Sequence, residues 1–329
     1  SEEVRKGDNT RPPLVVVTAP LPGDALGLFE GKARVKVYRH PKPFSEGDLI
    51  KRARKAHGLI PLLADRVSAA VLESCPGLKV VANYAVGVDN VDLQAAVRLG
   101  VVVTNTPDVL TEATADLAWT LILGVARRVK EGAGMMQRRA FKGWAPDLLL
   151  GMDLRGKTLG IVGMGRIGQA VARRAPAFGM GVLYADGARL CESAESALGA
   201  RRVSVADLLS VSDVVSLHCP LTPQTRHLLD RERLLSMKRG AILVNTARGP
   251  IVDEAALVEV LRDGHLMGAG LDVFEEEPRV APGLAELPNA LLLPHLGSAS
   301  VETRHAMARL AVRNCLAVLE GREPETRVV

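Results

Sequence analysis

Short apolar runs of four or five residues recur along the chain, separated by stretches whose apolar positions follow a helical period. The runs predict strands at Leu14–Thr18, Val35–Tyr38, Gly58–Leu62, Val80–Tyr84 and Val101–Thr104. Helices are predicted between them, for example over Ser45–Ala56 and Asp92–Leu99. Runs such as LVVV and VVVT are apolar at every position, as a strand covered on both faces requires. This alternation makes the stretch from about 14 to 105 one doubly wound domain around a parallel sheet.

A long helix is predicted after Thr104-Asn105-Thr106-Pro107, with Thr111 as its N-cap and LAWTLILGVARR continuing the period. Residues 135–157 read as a traverse into a second domain. There a second set of six strands is predicted: Thr158–Val162, Val182–Asp186, Val214–His218, Ala241–Asn245, Gly268–Asp272 and Ala290–Pro294. Pro176 should end or kink the helix after the first of these. Val301–Glu320 reads as one helix whose apolar face packs back on the first domain. The expected class is α/β, with two doubly wound parallel-sheet domains. One takes residues 1–106 plus 297–329 and the other 107–296, with the functional site in the cleft between them.

Composition narrows the partners. At 329 residues the chain has room for two domains. Apolar residues make up 47% and aromatics only 3%, so the cores must be built from Val, Leu, Ala and Ile. The longest apolar segments, such as Leu117–Ala126, fall far short of a membrane span. The N-terminal SEEVRKGDNTRPP is polar, carries no apolar signal core and is expected to be a disordered lead-in. Cys75, Cys191, Cys219 and Cys315 lie far apart and match no metal spacing, so no metal is expected and the thiols read as the reduced cysteines of a cytoplasmic protein. The net charge of +5 could suit nucleic acid, but Lys and Arg are scattered without aromatic interleaving, which argues against it. Such a charge mildly attracts anionic substrates and cofactors.

The sharpest chemical signal is LGIVGMGRIG. A strand runs into Gly163-x-Gly165-x-x-Gly168, a helical pattern follows, and Asp186 closes the next strand eighteen residues on. Gly163 permits the turn, Gly165 lets a pyrophosphate approach the backbone, and Gly168 lets helix and strand pack closely. The helix N-terminus offers free N–H groups to phosphates, and Asp186 can accept from the adenine-ribose hydroxyls. Strand, turn, helix and acid together point to dinucleotide binding.

Four further segments carry candidate chemistry. In NYAVGVDNVD, Gly87 lets backbone N–H groups turn outward as a cradle for a carboxylate. In VNTARGPIVDEAA, Arg248 follows an apolar strand at its carboxyl end, and the small Thr246, Ala247 and Gly249 leave room beside a guanidinium suited to a carboxylate. In GLDVFEEEP, Asp272 ends a strand, and one of Glu275, Glu276 and Glu277 is a candidate acid without the spacing deciding which. In LPHLGSAS, His295 stands between Pro294 and the pair Gly297 and Ser298, a fair position for a general acid.

Together and in this order, VGVDNVD, GMGRIGQAVARR, NTARGPIVDEAAL, GLDVFEEEP and LPHLGSAS closely resemble the D-isomer-specific 2-hydroxyacid dehydrogenases, from about Leu14 to Glu320. Within that family the chain is most similar to the glyoxylate/hydroxypyruvate reductases. The resemblance implies a flavodoxin-like substrate domain and a Rossmann cofactor domain. It implies three catalytic residues: Arg248, gripping the substrate carboxylate and the reacting oxygen, Glu277 before Pro278, and His295 as proton donor. Val86, Gly87 and Ser298 join Arg248 and His295 around the substrate. Gly163, Gly165, Arg166, Ile167, Gly168, Asp186, Thr246, Asp272 and Gly297 meet the cofactor. His218, in HCPLTPQTRHLL, is structural or lines the cofactor.

The implied reaction is the NAD(P)H-dependent reduction of a small 2-keto acid, glyoxylate or hydroxypyruvate, to glycolate or D-glycerate. Asp186 favours NAD(H), while Arg189, three residues on, keeps NADP(H) possible. The rivals are phosphoglycerate, D-lactate or formate-type dehydrogenation on the same scaffold, and a nucleotide-sensing corepressor-like binding protein. An end at Val329 leaves no room for the regulatory domain of many phosphoglycerate dehydrogenases, and no peptide-docking feature is evident. The resemblance further implies a homodimer. Leu117–Ala126 is a candidate seam, and Trp144 is a candidate for reaching a substrate pocket, even across a dimer.

Overall fold

The structure is a computed structural model and describes residues 11–40 and 42–329. The chain divides into two compact units. One takes in the described residues up to Leu110 together with Ala299–Val329, and the other is Thr111–Ser298.

In the first unit, β1 (Leu14–Val17), β2 (Arg34–Val37), β3 (Gly58–Ile60), β4 (Val80–Ala82) and β5 (Val102–Thr104) form one sheet. Its order is β2-β1-β3-β4-β5 and every pairing is parallel, the flavodoxin-like 2-1-3-4-5 arrangement. Its helices are α1 (Glu46–Ala53), α2 (Ala69–Glu73) and α3 (Leu93–Leu99). Ser45, Ser68 and Asp92 each cap their helix by accepting a backbone N–H. The first four strands end one or two residues earlier than the apolar runs; Leu62 and Tyr84, past the ends of β3 and β4, pair only as an isolated parallel bridge.

The second unit contains α4 (Thr111–Ala126), α5 (Val129–Gln137), β6 (Thr158–Val162), α6 (Arg166–Arg174), β7 (Gly181–Ala185), α7 (Glu192–Leu198), β8 (Ala200–Arg202), α8 (Val205–Val211), β9 (Val214–Leu217), α9 (Arg231–Ser236), β10 (Ile242–Asn245), α10 (Glu254–Arg262), β11 (Gly268–Leu271) and β12 (Ala290–Leu292). Its sheet runs β12-β11-β10-β9-β6-β7-β8, all parallel. Counted from β6 this is the dinucleotide-binding order 3-2-1-4-5-6 with a seventh strand added. The chain then returns to the first unit as α11 (Val301–Leu319), which packs on β3, β4 and β5.

Four expectations are corrected. Seven strands are present where six were expected. The extra one, β8, is a three-residue edge strand with two exposed arginines, so it has no apolar signature. The 135–157 traverse begins inside α5, a helix that buries no side chain and therefore shows no apolar stripe. Thr111 is the first residue of α4 and not its cap. The lead-in over residues 1–10 lies outside the described residues, but the carbonyls of Pro12 and Pro13 accept from Arg34, so that end of it is tied down. In Leu117–Ala126, Ala118, Trp119, Leu121, Ile122, Val125 and Ala126 are buried and the helix packs on α6, β10, β11 and β12, while Leu117 and Leu123 are half-buried and Thr120 is exposed.

As expected, Pro176 ends α6, where a 3-10 turn over Ala175–Phe178 takes over. The second core lies on both faces of its sheet. One face centres on Leu217, Leu243 and Leu257, the other on Leu121, Ile161 and Tyr184. Among the described residues no helix is long and apolar enough to cross a membrane.

Candidate active site

The carboxyl ends of β6, β7, β10 and β11 gather most of the predicted residues within the second unit. At the end of β6, Gly163 has φ +93°, and a Cβ there would lie 2.4 Å from the Cys219 backbone nitrogen. A Cβ on Gly168 would lie 2.1 Å from the Gly163 carbonyl oxygen, so helix and strand touch through glycine. A Cβ on Gly165 would meet nothing within 4 Å. Gly165 is the N-cap of α6 and offers no capping side chain, which leaves the N–H groups of the first turn to a ligand. Arg166, on that turn, is exposed and Ile167 half-buried. A closed turn, a closed packing contact and an open cradle are what a bound pyrophosphate needs.

Asp186 follows β7. Its Oδ2 accepts from Met164 N–H at 2.6 Å and its Oδ1 from Ala188 N–H at 3.0 Å, so the carboxylate is fixed beside the glycine loop with lone pairs to spare. His218 follows β9. Its Nε2 lies 2.8 Å from Ser216 Oγ, and burial pushes its imidazole down to about 4, which leaves it neutral.

Arg248 follows β10 and is half-buried. Asn245 shapes its turn: the amide donates to the Arg248 carbonyl at 2.9 Å and accepts from Ala247 N–H at 3.0 Å. Gly249 does not simply leave room. A Cβ there would lie 1.9 Å from the Phe274 backbone, so glycine lets the arginine turn abut the segment carrying the acidic run. Thr246 is buried and its hydroxyl has no hydrogen-bond partner, a donor and acceptor left for a ligand.

Asp272 is fully buried after β11. Its Oδ1 accepts from Leu296 N–H at 2.6 Å and its Oδ2 from Gly297 N–H at 2.8 Å, so the predicted cofactor residues Asp272 and Gly297 first of all hold each other. Burial pushes the Asp272 carboxyl up to about 6. His295 sits in this grip with φ +57°, a left-handed conformation that costs a non-glycine residue roughly 1–2 kcal/mol and needs such anchoring. Ser298 follows, half-buried.

Of the three candidate glutamates, Glu277 is the one that meets the histidine: His295 Nδ1 lies 2.9 Å from Glu277 Oε2. Burial would raise the Glu277 carboxyl, but the hydrogen bond and charge of His295, helped by Phe274 N–H and the Arg248 charge, hold it below the usual carboxylate range. With Nδ1 committed to the carboxylate, Nε2 is the nitrogen left to carry a proton. Glu275 instead pairs with His227 and accepts from Glu254 N–H, and Glu276 pairs with Arg279 on the surface.

The first unit holds a second candidate element. Three successive carbonyls are tied down: Ala85 accepts from Thr106 N–H at 2.9 Å, Val86 from the Asn105 amide at 2.9 Å, and Gly87 from the Asn83 amide at 2.8 Å. In a trans peptide the N–H points opposite to the carbonyl. The N–H groups of Val86, Gly87 and Val88 therefore each point away from the anchor of the preceding carbonyl, which fixes their orientation and makes them candidates for binding an anion.

Residues 119–297 match the family model described as the D-isomer specific 2-hydroxyacid dehydrogenase NAD binding domain. The chain belongs to the D-isomer-specific 2-hydroxyacid dehydrogenases. It is 45% identical over 320 residues to the glyoxylate reductase of Thermococcus litoralis, covering 96% of each chain. A solved protein from Thermus thermophilus is similar at 55% identity and TM-score 0.91, with 96% of this chain and all of that one covered. The NADPH-dependent glyoxylate/hydroxypyruvate reductase of Sinorhizobium meliloti, solved with NADP and malonate, is similar at 34% identity and TM-score 0.85, with 96% and 97% covered. As a member of this family the chain is an NAD(P)-dependent dehydrogenase, and its second unit binds a nicotinamide dinucleotide.

Sequence reasoning missed the supporting residues of this dehydrogenase. Glu254 is buried and accepts from Glu275 N–H and, at 3.1 Å, from Ala281 N–H, so it clamps both ends of the loop that carries Glu277. Its place inside VDEAAL, the start of a helix, gave only an N-terminal signal. Asn83 and Asn105 each follow an apolar strand, and an amide there is a readable sign of loop anchoring. Trp144 is 84% exposed on its own chain and belongs to no described site.

Proposed function

We propose that this dehydrogenase reduces small 2-keto acids, glyoxylate or hydroxypyruvate, to glycolate or D-glycerate with a nicotinamide cofactor. The observation that carries the reading is the His295–Glu277 pair at 2.9 Å, with the Arg248 charge acting on the same carboxylate. The names of the curated relatives point the same way.

In this reading the bound nicotinamide supplies the hydride. His295 gives the Nε2 proton to the keto oxygen as negative charge grows there, and Glu277 stabilises the imidazolium. Arg248 takes the carboxylate and the reacting oxygen bidentately. The N–H groups of Val86 and Gly87 also bind the carboxylate, and Ser298 lines the substrate. The first unit is thus the substrate domain and the second the cofactor domain. Gly165, Arg166 and Ile167 meet the pyrophosphate, with Gly163 and Gly168 shaping its turn. Thr246, Asp272 and Gly297 serve the nicotinamide side.

NADH is the preferred cofactor, because the Asp186 carboxylate welcomes a ribose 2′-hydroxyl and repels a 2′-phosphate. The protein works in the cytoplasm, where Cys75, Cys191, Cys219 and Cys315, all free, stay reduced. It acts as a homodimer. The half-buried Leu117 and Leu123 on the outer side of Leu117–Ala126 are the candidate seam, which light scattering on the pure protein and on a Leu117→Ser/Leu123→Ser variant tests.

The activity is tested by following NADH or NADPH absorbance with glyoxylate, hydroxypyruvate, pyruvate and 3-phosphohydroxypyruvate. Fastest turnover of glyoxylate or hydroxypyruvate with NADH is expected. Preference for 3-phosphohydroxypyruvate, or no turnover at all despite cofactor binding, would contradict the reading.

A further inference from the structure

The loop between β7 and α7 carries both a carboxylate suited to a ribose and a guanidinium suited to a phosphate. Asp186 is fixed by two backbone N–H groups, and Arg202 donates to the Asp186 and Gly187 carbonyls at 2.8 and 3.3 Å. The loop is therefore rigid at its start. Three residues on, Arg189 extends a side chain that is 67% exposed, yet its guanidinium is already engaged. Its Nε donates to Glu195 Oε1 at 3.1 Å and its Nη2 to Glu195 Oε2 at 3.0 Å, a bidentate pair reaching from the loop to α7.

Glu195 is not a passive surface partner. Its side chain is only 12% exposed, and Oε1 also accepts from the Tyr184 hydroxyl at 2.6 Å. Tyr184 is fully buried on β7, and its oxygen accepts from Leu190 N–H at 3.0 Å. One carboxylate thus gathers the strand, the loop and the helix around itself. An ordinary exposed ion pair is worth little and breaks easily. Here the carboxylate end of the pair is fixed, because Glu195 Oε1 is also held by the buried Tyr184 hydroxyl, so the arginine meets a pre-positioned partner.

We propose that Glu195 is a cofactor-specificity residue that acts by tethering Arg189 away from the 2′-phosphate of NADP. Asp186 rejects the phosphate by charge, and Glu195 withholds the cation that could compensate. A guanidinium available only in the fraction of molecules where the tether is open weakens phosphate binding by that fraction. The inference rests on dinucleotide binding by the second unit and adds what sets the choice between the two cofactors.

The test uses the full-length protein and reads dissociation constants of NADH and NADPH from nicotinamide fluorescence, without any keto acid. The variants are Glu195→Gln, Asp186→Ser, the double variant, and each of these with Arg189→Ala. Glutamine keeps an acceptor for Tyr184, and thermal melting confirms that each variant folds. NADPH is expected to bind about ten-fold tighter in Asp186→Ser/Glu195→Gln than in Asp186→Ser alone, as one freed charge-assisted contact implies. NADH affinity should not follow, and Arg189→Ala should abolish the gain. An NADPH constant that Glu195→Gln leaves unchanged in the Asp186→Ser background, or a gain that survives Arg189→Ala, would overturn the tether. Wild-type protein that binds neither dinucleotide would overturn the cofactor reading itself, and the tether with it.

Discussion

Asp272 holds His295 through the backbone: its carbonyl accepts the His295 N–H at 3.0 Å while its carboxylate takes the next two N–H groups. The imidazole is thus placed by a neighbour that does not touch it. Asp272→Asn replaces one acceptor oxygen by a donor and should loosen this loop. Turnover is expected to fall roughly ten-fold or more, the scale of one lost charge-assisted hydrogen bond, with the protein still folded.

The same aspartate sets a pH dependence of stability. Its folded value is raised by burial to about 6, above the ordinary aspartate value of about 3.9. The folded state therefore binds the proton more tightly than the unfolded state. This contribution is full below about pH 4 and is lost as the pH rises through about 6, because a buried charge must then be carried. Urea denaturation should show wild type losing stability relative to Asp272→Asn across that window. A difference that stays flat from pH 4 to pH 7 would contradict the burial argument.

Glu277→Gln keeps a hydrogen-bond partner for His295 and removes the charge. The carboxylate charge faces His295 Nδ1 at 2.9 Å, where it stabilises the positive charge of the proton donor. The kcat for keto-acid reduction should fall about ten-fold or more, the scale of one lost charge-assisted contact, with NADH affinity unchanged; an unaltered kcat would argue against the pairing.

The glycines of the β6 turn separate binding from folding. Gly165→Ala adds a Cβ into open space and should leave the melting temperature unchanged while weakening NADH binding. Gly168→Ala drives a Cβ to 2.1 Å from the Gly163 carbonyl and should lower the melting temperature by several degrees, the result of about 1–3 kcal/mol of overpacking. If both variants melt alike and bind alike, the division of roles is wrong.

Asn105 tests the carboxylate cradle. Asn105→Ala releases the Val86 carbonyl and with it the orientation of the Gly87 N–H. The KM for the keto acid should rise by roughly three- to ten-fold, the worth of one hydrogen bond, with kcat changed much less. A fall in kcat at constant KM would place Asn105 elsewhere in the account.

Much of this was legible in the residues. The glycine turn and the β6–β7 pair follow from the apolar runs and from Gly163 and Gly168, where a Cβ would collide with backbone. What escaped has physical reasons. The edge strand β8 is short and charged, and α5 buries nothing, so neither leaves a periodic trace. Gly249 was read as leaving room for Arg248, whereas its smallness serves a backbone contact with Phe274 across the sheet edge. The choice among Glu275, Glu276 and Glu277 depended on which carboxylate the loop aims at His295, and spacing does not encode that aim. The tie of Arg189 to Glu195 crosses from a loop to a helix and could not be read from the charge pattern alone.

The most direct test of the whole account is single-turnover reduction of glyoxylate by His295→Ala, with NADH binding titrated in parallel. The account predicts a loss of about 10²–10⁴ in rate with cofactor affinity unchanged, because the imidazole handles the proton and not the dinucleotide. Undiminished reduction by the variant would remove His295 from the chemistry and contradict the account at its centre.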